Sequence, residues 1–323
     1  MKNQIPISLN ESNGEMNTLN YYYRASFIVF IILIIIIWFS PKPYFNNKIC
    51  LCTIGKDENK YIREFVEFYK NKDVDKIFLY DNNDLNGEHF EDIIDDYIKE
   101  GFVDIINYRG IKAPQLQSYN DCYNKNNASH DWLIYYDIDE YIYLKDFNSI
   151  KTFVFNERFK HCERIQLNWV IHTDNDLLYY DNRTLKERFP EKGSEARKSK
   201  FGGKQFVKSI IRGHKKKLKK KIHSSHILSN SLVNCDGFGH RQKRNSIITE
   251  KPDYEYYYID HYYSKSTEEF IQKIQKTNVR WVNPDIMEKI EIYFSFNRIT
   301  KEKIDYIENY TKLNLSEYRK KIE

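Results

Sequence analysis

A chain of 323 residues, 41% of them hydrophobic, is long enough to bury one large core or two small ones. Its formal net charge of +5 is too small to imply a nucleic-acid partner, and no aromatic residues interleave its basic runs in the way single-stranded nucleic acid requires. The 27 tyrosines accompany a chain-wide excess of Ile, Lys and Asn and need not mark a binding surface.

Met1 to Asn20 is polar, mixed in charge and without apolar period, which reads as a disordered tail. Ala25 to Phe39 follows as an unbroken apolar run, bordered by Tyr21 to Tyr23 and Arg24 on one side and by Trp38 and Pro41 on the other. With its aromatic borders, residues 21–40 approach the roughly 20 residues that a bilayer needs, so they are expected to form a single transmembrane signal-anchor. A cleaved signal peptide is the main competitor; the long polar stretch before the run and the lack of a small-x-small cleavage site argue against it. Residues 41–47 read as a linker.

Lys48 to Ile54 is the first expected strand, Glu58 to Asn71 a helix with apolar spacing at Ile62, Phe65, Val66 and Tyr69, and Asp75 to Tyr80 a second strand. Asp81-Asn82-Asn83-Asp84 closes it with turn residues. Glu88 to Glu100 reads as a helix stopped by Gly101, Phe102 to Asn107 as a strand, Pro114 to Asn127 as a helix opened by proline, and Trp132 to Tyr136 as a strand buried on both faces. The alternation predicts a doubly wound α/β sheet whose right-handed crossovers gather Gly55 to Glu58, Asp81 to Asp84 and Asp137 to Asp139 at one rim.

Trp132-Leu-Ile-Tyr-Tyr-Asp-Ile-Asp-Glu-Tyr141 is the most informative stretch, an apolar run ending in three carboxylates. Asp137 and Asp139, two residues apart on an extended backbone, would point to one side and share a divalent ion, with Mn²⁺ or Mg²⁺ suiting oxygen ligands. Asp-x-Asp alone is weak in a chain with 46 acidic residues; its place at the end of a buried strand gives it weight.

Cys52-Thr-Ile-Gly-Lys-Asp-Glu-Asn59, Ile77-Phe-Leu-Tyr-Asp-Asn-Asn-Asp84 and the stretch ending at Tyr141 together resemble the nucleotide-sugar half of family 2-like and family 92 glycosyltransferases. The likeness continues in Asn168-Trp169, in Phe206-Val-Lys-Ser-Ile-Ile-Arg212 and in Ile259-Asp-His-Tyr-Tyr-Ser-Lys-Ser266 with the residues that follow. It implies a GT-A-like, Rossmann-type domain with a mixed sheet, and a membrane-anchored hexosyltransferase using a nucleotide diphosphate-sugar, a UDP-sugar first among these. The acceptor would be a glycan, on a glycoprotein or glycolipid, or another hydroxyl. By the same resemblance Glu58 and Asp81 would hold the nucleoside, His261 would complete the metal or diphosphate site, and the reaction would invert the anomeric centre. An inverting transfer needs a carboxylate base, for which Glu187 and Asp236 are the candidates. Arg24 before the apolar run against Lys42 and Lys48 after it weakly favours the opposite topology, but the resemblance implies type II, with a short cytosolic tail and the catalytic domain in the lumen of the Golgi or endoplasmic reticulum. Asn127, Asn182, Asn309 and Asn314 open glycosylation triplets that would matter on that side.

The expected domain runs from residue 48 to 300 and is followed by a C-terminal amphipathic helix over 301–323. His214 to Lys221 reads as a solvated basic loop, Gly202-Gly203 as a tight turn, and His223 and His226 as structural or acceptor-side groups. Five cysteines leave one thiol outside any intramolecular bridges; Cys50 and Cys52 share a strand face and are poorly placed to bond each other. Two rival functions use the same features: a metal-dependent phosphoryl or nucleotidyl transferase, and a glycan-binding relative without turnover.

Overall fold

A computed structural model of the chain describes residues 24, 26–32, 47–193, 205–214, 232–242, 248–249, 251–275 and 286–323. The chain divides into Met1–Phe45 and Asn46–Glu323. In the first unit residues 26–32 are helical. Among the described residues no helix is long and apolar enough to cross a membrane, so the span expected at 21–40 has no support from the structure. The tail, most of that span, residues 41–46, Gly202-Gly203, the basic run from residue 215 onward, His223 and His226 lie outside the described residues.

The second unit is built on a mixed sheet. Its strands are β1 (Ile49–Gly55), β2 (Lys76–Asp81), β3 (Val103–Asn107), β4 (Trp132–Tyr135), β5 (Glu140–Leu144), β6 (Arg164–Ile171), β7 (Gln205–Arg212), β8 (Asn234–Cys235), β9 (Ile248–Thr249) and β10 (Tyr257–His261). The order is β3-β2-β1-β4-β7-β6-β10-β5, with β8 beside β6 and β9 beside β7. The first four strands are parallel, β7 is antiparallel to both β4 and β6, and β10 runs parallel to β6 and antiparallel to β5. The expected alternation therefore holds through β4, and the chain order reverses between β1 and β4, the switch point where open α/β sheets take their ligands.

Alternation along β1 shows why both faces must be covered. Ile49 and Leu51 enter one core with Tyr61, Ile62, Phe65, Val66 and Tyr69 of α1 (Asn59–Lys70) and Ile94 of α2 (Glu91–Lys99). Cys50, Cys52 and Ile54 enter a second core with Tyr119, Cys122 and Tyr123 of α3 (Gln115–Asn126). Helices thus flank the sheet on both sides. Disulfides join Cys52 to Cys122 and Cys162 to Cys235, leaving Cys50 as a buried thiol.

A third core joins α4 (Thr267–Gln275), α5 (Ile286–Phe294) and α6 (Lys301–Thr311) through Phe270, Tyr293, Ile304 and Ile307. The single helix expected over 301–323 is interrupted: Lys312 adopts a left-handed conformation with φ 61° and ends α6, and only Ser316–Arg319 is helical beyond it.

Candidate active site at the β1 and β4 switch point

Three loops leave the carboxyl ends of β1, β2 and β4 and touch one another. Asp57 N–H donates to Asn83 Oδ1 at 2.7 Å, and Lys56 Nζ lies 2.7 Å from Asp84 Oδ1. Gly55 lets the third loop approach, because a Cβ there would meet Ile138 Cδ1 at 2.4 Å and Phe90 Cζ at 2.9 Å. The rim expected from the crossovers is therefore formed.

Asp137 and Asp139 do not share one face of an extended strand as the sequence spacing suggests. The strand ends at Tyr135, and a turn closed by Glu140 N–H donating to the Asp137 carbonyl sends the two carboxylates to different partners. Asp137 accepts from Lys208 Nζ at 2.7 Å, Tyr119 Oη at 2.8 Å and Gln115 Nε2 at 3.2 Å. Burial opposes its charge, but the Lys208 ammonium outweighs it and holds the carboxyl below its ordinary range. Asp139 faces Lys273 Nζ at 2.9 Å and His261 Nε2 at 3.6 Å. Against its burial, Lys273 and His261 hold that carboxyl well below the ordinary value.

Glu140 and His261 stand opposite each other in the β5–β10 register. Burial, reinforced by Asp137 and Asp139 against the pull of Lys208, pushes the Glu140 carboxyl well up, and burial pushes the His261 imidazole down against the pull of Asp139. Asp139, Glu140 and His261 bring one ligand atom each within 4.8 Å of one another. Among the described residues Glu140 Oε1 and His261 Nδ1 are buried without a hydrogen-bond partner, an arrangement that favours a cation. Two carboxylates and an imidazole suit Mn²⁺ better than Mg²⁺, so these residues fit the group. Asp137 falls outside this set, its oxygens already bonded as described.

Glu58 accepts from Lys265 Nζ at 2.8 Å, and that ammonium also lies 3.6 Å from the centre of the Tyr61 ring. Burial lowers the Lys265 pKa against the pull of Glu58. Asp81 is buried and occupied: Oδ1 accepts from Asn83 N–H at 2.9 Å and Oδ2 from Arg109 Nη1 at 2.6 Å. Arg109 also donates to the carbonyls of Asp84, Gly87 and Glu88, so Asp81 helps shape the loop after β2.

The two candidate bases have other work. Glu187 caps the short helix Leu185–Arg188, accepting from Thr184 N–H at 3.0 Å and Thr184 Oγ1 at 2.8 Å while the Thr184 hydroxyl receives Glu187 N–H. Asp236 closes a turn by accepting from Phe238 N–H and His240 N–H, each at 2.9 Å, and from Gln242 Nε2 at 3.0 Å. The geometry favours neither as the base.

A family model, Glycosyltransferase family 92, matches residues 47–294. The chain belongs to glycosyltransferase family 92. A glycosyltransferase family 92 protein of Ricinus communis is 26% identical over 118 residues, covering 34% of this chain and 20% of that protein. The match thus spans one fifth of that relative's length. S. aureus TarS crystallised with UDP-GlcNAc is similar at 14% identity and a TM-score of 0.36, over 81% of this chain and 79% of that one. HddC from Yersinia pseudotuberculosis is similar at 12% identity and a TM-score of 0.28, over 52% and 70%. Such loose likenesses leave the description of the fold to the strand order itself.

In this family 92 chain the site contains residues that sequence reasoning did not place there: Lys208, Lys265, Lys273 and Glu140. Lys208 carried a readable signal, a lone cation inside the apolar strand Phe206 to Ile211. Lys265 belongs to the stretch Ile259 to Ser266 that carries the resemblance, where nothing local marks its contact with Glu58. Lys273 sits in an ordinary amphipathic helical pattern, and nothing local to it marks the 2.9 Å contact with Asp139.

Proposed function

We propose that the domain is an inverting hexosyltransferase that takes a nucleotide diphosphate-sugar, a UDP-sugar first among these, and passes the sugar to a hydroxyl of a glycan acceptor on a glycoprotein or glycolipid. The carrying observation is the cluster at the switch point, where Asp137, Asp139, Glu140 and Glu58 meet Lys208, Lys265, Lys273 and His261 at the carboxyl ends of parallel strands. A departing nucleoside diphosphate gathers negative charge as the glycosidic bond breaks, and Lys265 and Lys273 are cations at this rim that would meet it. Asp139, Glu140 and His261 would hold Mn²⁺ or Mg²⁺, which supplies further charge neutralisation at the diphosphate. Lys208 keeps Asp137 ionised and fixed at the end of β4, while the loop after β2, shaped by Asp81 and Arg109, and Glu58 would border the nucleoside.

The same reading makes the protein a type II membrane protein with this domain in the lumen of the Golgi or endoplasmic reticulum. Its supports are the apolar run at 25–39 and the two disulfides, which persist in an oxidising compartment.

The experiment is a thermal shift and turnover pair on the purified domain. Mn²⁺ at 100 times its Kd should stabilise the wild type by about 2.7 kcal/mol and His261→Ala by far less. UDP-sugars should yield intact nucleoside diphosphate. Release of inorganic phosphate or pyrophosphate would instead mark a phosphoryl or nucleotidyl transferase.

A further inference from the structure

We propose that Asn182 carries an N-linked oligosaccharide and that Asn127, which opens an equivalent triplet, does not. This rests on the lumenal reading above. The co-reactant is an oligosaccharide linked through a diphosphate to a polyprenyl lipid. Asn Nδ2 forms the new bond to C1 of the first sugar, the C1–O bond to the lipid diphosphate breaks, and the amide gives up one proton as the lipid diphosphate leaves.

The two amides differ in what the finished fold asks of them. Asn127 Nδ2 donates to the Tyr123 carbonyl at 2.7 Å and to the Asn124 carbonyl at 3.3 Å, tying off the end of α3. Its own carbonyl accepts from His214 N–H, and a Cβ on Gly213 would lie 2.8 Å from that oxygen. The turn after β7 lies against the Asn127 main chain, and a saccharide on Nδ2 replaces one of its two N–H groups and so gives up one of the two contacts that tie off the helix. A glycan is bulky and belongs on a surface.

Asn182 is exposed, and its side chain makes no hydrogen bond to the described residues. The loop that presents it is nevertheless anchored on both sides. Before it, Leu177 and Leu178 carbonyls accept from Thr267 and Glu268 N–H groups at 3.1 and 2.9 Å, and Tyr180 N–H donates to Glu268 Oε2 at 2.9 Å. After it, Leu185 N–H donates to the Glu64 carboxylate at 3.1 Å. A sugar at this tip leaves every one of these contacts in place.

The test is glycopeptide mass spectrometry on the full chain made in a eukaryotic secretory host, with an Asn-Gly-Thr tripeptide appended after Glu323 as a reporter of the compartment. Treatment with an amidase that converts a glycosylated Asn to Asp should mark Asn182 and leave Asn127 as Asn. Asn182→Gln should remove the mark and Thr184→Ser should keep it. A modified reporter beside an unmodified Asn182, or modification of Asn127, overturns the proposal and leaves the compartment reading standing. An unmodified reporter with an unmodified Asn182 overturns both.

Discussion

Lys208 places its ammonium 2.7 Å from Asp137 and 3.0 Å from Glu140 while exposing none of its side chain. Removing one member of a buried charge group leaves the others desolvated without compensation. Lys208→Met should therefore cost about 3–5 kcal/mol of folding stability, read from urea unfolding. A loss below about 1 kcal/mol would show the pair to be worth no more than a surface bridge.

Gly55 is the second structural control on the site. A methyl group at this position meets Ile138 Cδ1 at 2.4 Å, and Ile138 stands between Asp137 and Asp139. Gly55→Ala should cost about 1–3 kcal/mol through overpacking, and turnover should fall further than stability because the displaced loop carries the acids. Adding Ile138→Val should recover part of both. Unchanged kcat/KM in Gly55→Ala would mean that the loop does not need this approach.

His261 sets a pH dependence whose sign follows from burial. Its folded pKa lies below the ordinary value of about 6.5, so below that pH the unfolded chain takes up a proton that the folded one refuses. Stability contributed by neutral His261 is thus complete above about pH 7 and is lost as pH falls towards the folded pKa. Asp139, depressed well below its usual range, acts in a separate window below about pH 4. Buried Glu140 and Glu269, whose carboxyls are pushed up by burial, act with the opposite sign as pH falls, so the test is a difference: the melting temperature of the wild type relative to His261→Gln should fall from pH 7 to pH 5, and parallel profiles would remove His261 from this account.

The Cys52–Cys122 bridge closes a loop with a sequence separation of 70 and fastens α3 to β1. Loop-closure entropy assigns it about 4 kcal/mol. Cys122→Ala should show a loss of that order in denaturant unfolding, and reductant, which also opens Cys162–Cys235, should lower both proteins and abolish the difference between them. A difference below about 1 kcal/mol would leave the bridge without a role in stability.

The parallel half of the fold was legible because its signals are local. Apolar runs of strand length alternate with 3.6-period helices from Ile49 to Tyr135, and observed boundaries differ from the expected ones by up to three residues. The second half was less legible, since β5, β6, β7 and β10 pair across long separations, as in His261 opposite Glu140. A spacing of two residues at Asp137 and Asp139 suggested an extended strand with both carboxylates on one side, whereas Glu140 closes a turn there and sends them to different partners. Glu187 and Asp236 looked available only as letters; a capping threonine at position 184 and a tight turn at Gly237 use their oxygens. Lys273 reaches Asp139 across 134 residues, a contact that no pattern within one helix could announce.

The most direct measurement is the rate at which the purified domain releases intact nucleoside diphosphate from a panel of UDP-sugars in the presence of Mn²⁺ and a glycan acceptor, compared with Asp139→Asn at equal folded concentration. Asp139→Asn keeps side-chain volume and removes the charge that faces Lys273 and His261. The account predicts acceptor-dependent release by the wild type and a fall of about 100-fold or more in the variant; the melting temperature also falls, because Lys273 and His261 lose a buried partner, and comparison at equal folded concentration separates the two effects. Equal release by the two proteins, or phosphate in place of nucleoside diphosphate, would contradict it.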